Sequence, residues 1–290
     1  QRKSGVQFNQ QRPLDSVNLF RKGRYKMYDF SYKNASSVDD AINSHKNSDD
    51  GSFLAGGQTL LPTLKQRLAQ PSDLIDLSGI GNLSGIEVGQ SVKVGAMTTH
   101  AAVASSKEIQ KALPALADLA DGIGDPQVRN RGTIGGSVAN NDPAADYPAA
   151  CLALNAIITT NKREISADDF FTGMFDTALD EGELITSISF PIPEKAAYMK
   201  FPNPASRYAL VGVFVSKLSS EVRVAVTGAG EEGVFRASNL EDALNNNFSA
   251  ASLDSLTISP EGLLSDIHAQ NDYRASLIVT MAKRAVTAAS

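Results

Sequence analysis

The chain has 290 residues, 42% hydrophobic and 20% charged, with 27 Lys plus Arg against 32 Asp plus Glu and a net charge of −5. This composition excludes a disordered or collagen-like chain, and the length suffices for two domains that each bury a core. The single cysteine, Cys151, excludes an internal disulfide and any zinc or iron–sulfur centre held by several thiolates. The three scattered histidines, His45, His100 and His268, argue against a His-based metal site, so no metal ligand is assigned.

Residues 1–26 carry seven basic residues and one acid, which leaves a balance of −11 on the remainder. A nucleic-acid binder carries its basic footprint on the folded body, so that class is excluded. The segment lacks apolar periodicity, and Met27 opens a more regular pattern. Residues 1–26 are therefore expected to be a vector-derived or loose basic extension, with a basic docking arm as the alternative. No stretch approaches the ~20 apolar residues of a membrane span, and no basic and apolar leader pattern opens the chain. A cytoplasmic location is expected.

From Tyr28 onward, short apolar runs alternate with helix-like stretches. Ser36-Ser37 with Val38 and Ile42 predicts a helix, Ser52 to Ala55 a strand halted at Gly56-Gly57, Leu60 to Lys65 a helix, and Leu74 to Leu77 a strand. Ile86 to Val88 and Ser91 to Val94 flank Gly89-Gln90 as a hairpin, and a helix follows at His100 to Ser105. Leu113, Leu116, Ala117 and Ala120 have helical spacing, ended by Gly122 and Gly124. Ile157 to Thr160 reads as a strand, Ser166-x-x-Asp169 as a capped helix start, and Leu184 to Phe190 as a strand closed by Pro191 and Pro193. The double proline marks a domain boundary. Tyr208 to Val215 and Val222 to Val226 predict an antiparallel pair, and Leu277, Ile278, Met281, Ala282, Ala285 and Val286 share one face of a C-terminal helix.

Two glycine-rich stretches carry the functional signal: Ala55-Gly56-Gly57-Gln58-Thr59-Leu60 after Leu54, and Thr133-Ile134-Gly135-Gly136-Ser137. Adjacent glycines let the backbone approach a ligand closely, and free N–H groups behind them can face phosphate oxygens. One Gly-Gly is ordinary turn chemistry. Two, each beside an apolar run, point to a pyrophosphate site. Neither stretch fits a Rossmann fingerprint or a P-loop.

The strings FLAGGQTLLPTLKQRLAQPSDLIDLSGI, GAMTTH and IGDPQVRNRGTIGGSVANNDPAADYPAA resemble the FAD-binding medium subunit of molybdenum hydroxylases, in particular the branch of aerobic carbon monoxide dehydrogenase, with xanthine dehydrogenase among its larger relatives. The resemblance runs from about Tyr28 to the C-terminus. It implies an α+β chain: an FAD-binding domain over 27–194, with subdomains at about 27–84 and 85–194, then a smaller α+β domain over 195–290 with a three-stranded antiparallel sheet. Both glycine stretches, Leu54 to Leu60 and Thr133 to Ser137, would hold the FAD pyrophosphate, mostly through backbone N–H groups, with hydroxyls of Thr59, Thr133 and Ser137 adding donors. Asp146 would bind ribityl or ribose hydroxyls, or cap the helix that follows. Asn141, with Asn140 and Asp142, would reach FAD polar groups or serve as turn chemistry. Ile123 and Ile185 would be apolar walls of the isoalloxazine or plain core. Lys200 would set positive charge at the flavin N1/O2 edge or be a solvated lysine. Tyr208 would cover the flavin or simply open a strand.

The implied function is electron transfer in a heterotrimer, with no catalytic side chain in this chain. The molybdopterin cofactor and [2Fe–2S] clusters would sit on a large and a small partner subunit, and two heterotrimers would pair. A self-sufficient FAD-dependent oxidoreductase acting on a small molecule is the alternative within the enzyme class, and a flavin-free scaffold the alternative outside it.

Overall fold

A computed structural model describes residues 27–289. The extension assigned to residues 1–26 lies outside the described residues. The first unit is β1 (Ser31–Asn34), α1 (Val38–Lys46), β2 (Gly51–Leu54), α2 (Leu60–Lys65) and β3 (Asp73–Asp76). Its strands are parallel in the order β1-β3-β2. Parallel neighbours need crossovers, and α1 and α2 supply them. Ser37 starts α1 by accepting the Asp40 N–H at 3.1 Å. Ala35, Ala41, Ile75 and Leu83 form the small core beneath.

The second unit opens with the hairpin of β4 (Ile86–Val88) and β5 (Ser91–Gly95). Six helices follow: α3 (His100–Ser105), α4 (Lys107–Ala112), α5 (Pro114–Asp121), α6 (Pro126–Arg129), α7 (Ile134–Asn140) and α8 (Tyr147–Ala153). Then come β6 (Ile157–Thr160), β7 (Glu164–Ser166), α9 (Ala167–Phe170), the small hairpin β8 (Phe171–Gly173) and β9 (Asp176–Thr177), and β10 (Ile185–Pro191). The sheet is antiparallel in the order β4-β5-β10-β6-β7. Every residue of α8 is buried. Helices enclosed on all sides are apolar all round, which explains the run Ala149-Ala150-Cys151-Leu152-Ala153.

The chain changes sheets through Ile192, Pro193 and Glu194, beside the expected boundary. β11 (Lys195–Pro202), β12 (Ala209–Lys217), β13 (Val222–Gly230) and β14 (Gly233–Arg236) form an antiparallel sheet, followed by α10 (Ser238–Asn246) and α11 (Asn271–Ala289). This sheet has four strands where three were expected. The three came from the resemblance; the sequence pattern marks only β12 and β13, and neither β11 nor the four-residue, mostly half-buried β14 is picked out by it. One face of the sheet presents Val211, Val213, Val215, Val224 and Val226 to α10 and α11. The other presents Phe214 and Ala225 to the central core around α8. Covered on both sides, β12 is buried from Ala209 to Ser216 and β13 throughout.

A polar seam joins the third unit to the second. Ser216 Oγ donates to Ala153 O, Arg223 Nη1 to Leu152 O at 3.1 Å, and Thr227 Oγ1 to Ala145 O at 2.6 Å. The Leu152 and Ala153 carbonyls close α8; Leu152 O takes the Asn155 N–H at 3.2 Å, and the neighbouring sheet adds a donor to each, with an arginine where the helix dipole favours positive charge.

Candidate functional site

The parallel sheet delivers Leu54 at the end of β2, and the chain then turns through Ala55-Gly56-Gly57 into α2. Here the N–H groups of Gly56, Gly57, Gln58, Thr59 and Leu60 find no acceptor within the described residues. Thr59 stands at the N-cap of α2 without capping it, so its hydroxyl is also uncommitted. Five successive amides without an acceptor, at a helix start, are the kind of donor set that can hold an anion.

The second glycine stretch lies directly against the first. A Cβ on Gly56 would fall 2.0 Å from Arg131 O and 2.8 Å from the Gly132 Cα, and one on Gly136 would meet Ala55 Cβ at 3.4 Å. Only glycine at position 56 lets the two backbones approach this closely. Sequence separates the stretches by some seventy residues, and the fold brings them into direct contact.

The second stretch differs from its expected form. It is the first turn of α7, and most of its amides are already bonded: Ile134 N–H to Thr98 O at 3.1 Å, Gly135 N–H to Ala96 O at 2.9 Å, Gly136 N–H to the capping Thr133 Oγ1 at 3.3 Å, and Ser137 N–H to Thr133 O at 3.0 Å. The free backbone donors expected on both loops are thus concentrated on the first. The second offers its shape and the half-buried Ser137 side chain. Gly135 is locked in place, since a Cβ there would meet Ala96 Cβ at 2.5 Å. Ile134 is wholly buried and belongs to the core.

From this junction the segment Gly122 to Gly132 leads to a cleft of about 460 Å³ lined by Gly122, Gly124, Arg129, Lys200, Asn203 and Arg207, among others. Arg129 donates to Ile123 O at 3.0 Å, and Arg207 to Gly124 O at 3.4 Å. Lys200 is not a solvated lysine. Its side chain is 10% exposed, donates to Gly122 O at 2.7 Å and pairs with Asp146 at 3.1 Å. Nor does Asp146 cap α8: its backbone is already helical, and its carboxylate accepts from Tyr198 Oη as well as from Lys200. Burial raises the Asp146 pKa above the ordinary carboxylate range, while Lys200 and Tyr198 act against that rise.

Tyr208 sits just before β12 and is 47% exposed. Its phenol is pushed up by partial burial and by the negative charges of Asp142 and Asp146. Ile123, Asp146, Lys200 and Tyr208 therefore share one neighbourhood. Two other candidates make contacts of their own, and the Asn141 Oδ1 is buried without a hydrogen-bond partner among the described residues. Ile185 is buried within the central core on β10. Asn141, at φ 41°, donates to Gly173 O and Asp176 O at 2.8 Å each and so pins the β8–β9 hairpin. Among the described residues, no three His, Cys, Asp or Glu side chains gather as a metal site.

Sequence reasoning missed Tyr198 and Arg129. The signal for Tyr198 was its place two residues before Lys200 on one strand, which puts both on the same face.

Unbonded amides at the first glycine turn, closed over by the backbone before the second, with a partly cationic cleft beside them, are what a protein that binds a phosphate-bearing cofactor without a Rossmann unit presents. Residues 28–193 match the family described as the FAD binding domain in molybdopterin dehydrogenase. The nicotine 6-hydroxylase medium subunit of Paenarthrobacter nicotinovorans is 36% identical over 278 residues, spanning 89% of this chain and 96% of the relative. The carbon monoxide dehydrogenase medium chain of Hydrogenophaga pseudoflava is 35% identical over 256 residues, spanning 83% and 89%. A solved structure of carbon monoxide dehydrogenase from Hydrogenophaga pseudoflava, lacking the Mo-pyranopterin moiety, superposes with a TM-score of 0.82 at 35% identity, over 91% of this chain and 98% of that one. The chain belongs to the FAD-binding family of molybdopterin dehydrogenases and is an oxidoreductase flavoprotein of the medium-subunit type.

Proposed function

We propose that this chain is the electron-exit subunit of a heterotrimeric molybdenum hydroxylase. The observation that carries the reading is the junction of the two glycine stretches, with free amides from Gly56 to Leu60 at its mouth. These amides and the Thr59 hydroxyl would hold the FAD pyrophosphate. Ser137 would contribute from the second stretch, and Ile123, Asp146, Lys200 and Tyr208 would surround the rest of the cofactor in the cleft. Bound FAD supplies the capacity to accept electrons singly and release them singly or in pairs. This chain's part is to bind it, orient it and shield one side from water.

In this reading a molybdopterin-binding large subunit oxidises the organic substrate. A small subunit with [2Fe–2S] clusters carries the electrons to this chain, which delivers them to an external acceptor. Two heterotrimers would pair, and the assembly would work in the cytoplasm. Support comes from the relatives, whose names are those of medium chains of such enzymes, and from the absence, among the described residues, of any helix long and apolar enough to cross a membrane.

The test is the visible spectrum of the assembled enzyme, intact and with Gly56→Val. The intact enzyme should show one oxidised flavin per copy of this chain. The variant should assemble without flavin, because the new side chain must displace the Arg131–Gly132 backbone. A full flavin complement in Gly56→Val overturns the assignment of the junction.

A further inference from the structure

The Asp146–Lys200 pair has a third member that neither the sequence nor the family relationship assigns. Tyr198 and Lys200 alternate along β11 and face the same way, toward α5 and the Asp146 carboxylate ahead of α8. The Tyr198 hydroxyl donates to Asp146 Oδ1, while Lys200 Nζ lies 3.1 Å from Oδ1 and 3.2 Å from Oδ2. Asp146 is 5% exposed, so its carboxylate has exchanged water for these two donors. The remaining reach of Lys200 goes to Gly122 O, 2.7 Å away, at the C-terminal end of α5 and on the wall of the cleft.

The neighbouring strand seats the phenol. Tyr198 stacks on Phe214, its partner in the ladder, with ring centroids 6.0 Å apart. Gly212, the ladder partner of Lys200, leaves room for the hydroxyl: a Cβ there would stand 2.2 Å from Tyr198 Oη. Two residues of β12 thus aim one phenol at one carboxylate.

We propose that Tyr198 is a positioning residue that sets, through Asp146, where the Lys200 ammonium stands at the wall of the flavin cleft. The inference rests on the reading that this cleft faces the flavin. Burial, reinforced by the Asp146 charge, holds the Tyr198 phenol well above its ordinary pKa, so it remains a donor throughout the working pH range. With the phenol in place, Asp146 shares its charge between two donors. Without it, the carboxylate turns fully to Lys200, draws the ammonium inward and weakens the positive field at the cleft, where reduction of a flavin builds negative charge.

The experiment measures the midpoint potential of bound flavin in the assembled enzyme carrying Tyr198→Phe, Lys200→Gln and both together. Tyr198→Phe should retain flavin and move the potential negative by about 30 mV, one decade in a two-electron equilibrium. Lys200→Gln should move it the same way, and the double variant should match Lys200→Gln alone. Gly212→Ala, which displaces the phenol from the β12 side, should reproduce the Tyr198→Phe shift. A potential unchanged by Tyr198→Phe or by a folded Gly212→Ala, while Lys200→Gln shifts it, overturns the inference and leaves the cleft reading intact. Additive shifts in the double variant also overturn it, since Tyr198 would then act independently of Lys200. An unchanged potential in Lys200→Gln overturns both the inference and the reading of the cleft.

Discussion

His100 occupies the start of α3 with 5% of its surface exposed, and its Nδ1 has no hydrogen-bond partner among the described residues. Burial, assisted by the charge of Arg129, lowers its pKa to about 4, so the folded protein holds a neutral imidazole. Between about pH 6.5 and 4 the unfolded chain takes up a proton that the folded chain declines, so stability falls as the solution is acidified through that window, by at most about 3 kcal/mol. Chemical denaturation at pH 7 and pH 5 should show this loss, and His100→Gln should reduce it. An equal pH slope in the two proteins would remove His100 as its source. Glu183 acts lower on the scale: burial works to raise its pKa, but the hydrogen bonds from Arg163, Thr160 and the Asp180 N–H outweigh that and hold it at about 2. At this scale the sequence is a partial guide. The Gly-Gly pairs announced close backbone approach, but that position 56 faces Arg131 O, or that the Ile134 to Ser137 amides are spent inside the chain, depends on partners distant in sequence.

Most elements were legible where their signal was local. The caps Ser37 and Ser166 accept from Asp40 and Asp169 at 3.1 and 3.2 Å, as the capping pattern predicts. The apolar stripe of α11 is buried at each of the six positions read from its spacing. The helix at Ile134–Asn140 is not announced by its sequence because its glycines suppress intrinsic helix propensity, whereas Thr133 capping and packing on Ala96 hold it in place. The seam at the end of α8 was invisible for a different reason: Arg223, 6% exposed, reads in sequence as the polar member of an alternating strand. Its guanidinium binds Leu152 O, Asp168 and Glu221 at 3.1, 3.0 and 2.7 Å. Arg223→Met keeps the aliphatic stem and removes these bonds, and should cost about 2–3 kcal/mol. Urea unfolding should give a lower midpoint with an unchanged m-value. A midpoint within a few tenths of a kcal/mol of the parent would show that the seam contributes little.

Across the whole molecule, the four-stranded sheet is a shared layer, with Phe214 and Ala225 completing the core around α8 while the opposite face completes the core of α10 and α11. A chain ended after Pro193 would therefore expose the α8 face, leave the Ala153 carbonyl without its Ser216 donor and take the Arg223 donor from Leu152 O. Residues 27–193 alone should keep helical far-UV circular dichroism, lose near-UV signal and bind a hydrophobic dye, the behaviour of a collapsed but loosely packed state. Cooperative unfolding of that fragment at the parent's midpoint would show instead that its core is self-sufficient. The same layering places Tyr198 and Lys200 of the third unit against Asp146 and Gly122 of the second, so the cleft exists only where the two units meet.

By itself the sequence determined the mixed α and β composition, the strand and helix stretches with strong periodicity, the glycine stretches and the family to which the chain belongs. Each of these is written in local spacing or in residues whose chemistry is their own. Tertiary structure alone decided which amides lack an acceptor within the chain, that Asp146 answers to Tyr198 and Lys200 instead of capping a helix, that Ile185 is buried in the core, and that the Asn141 amide nitrogen holds a hairpin while its Oδ1 stays unpaired. These are matters of which groups lose water together and which partners they then find, and that choice is made by chain segments far apart in sequence meeting in space.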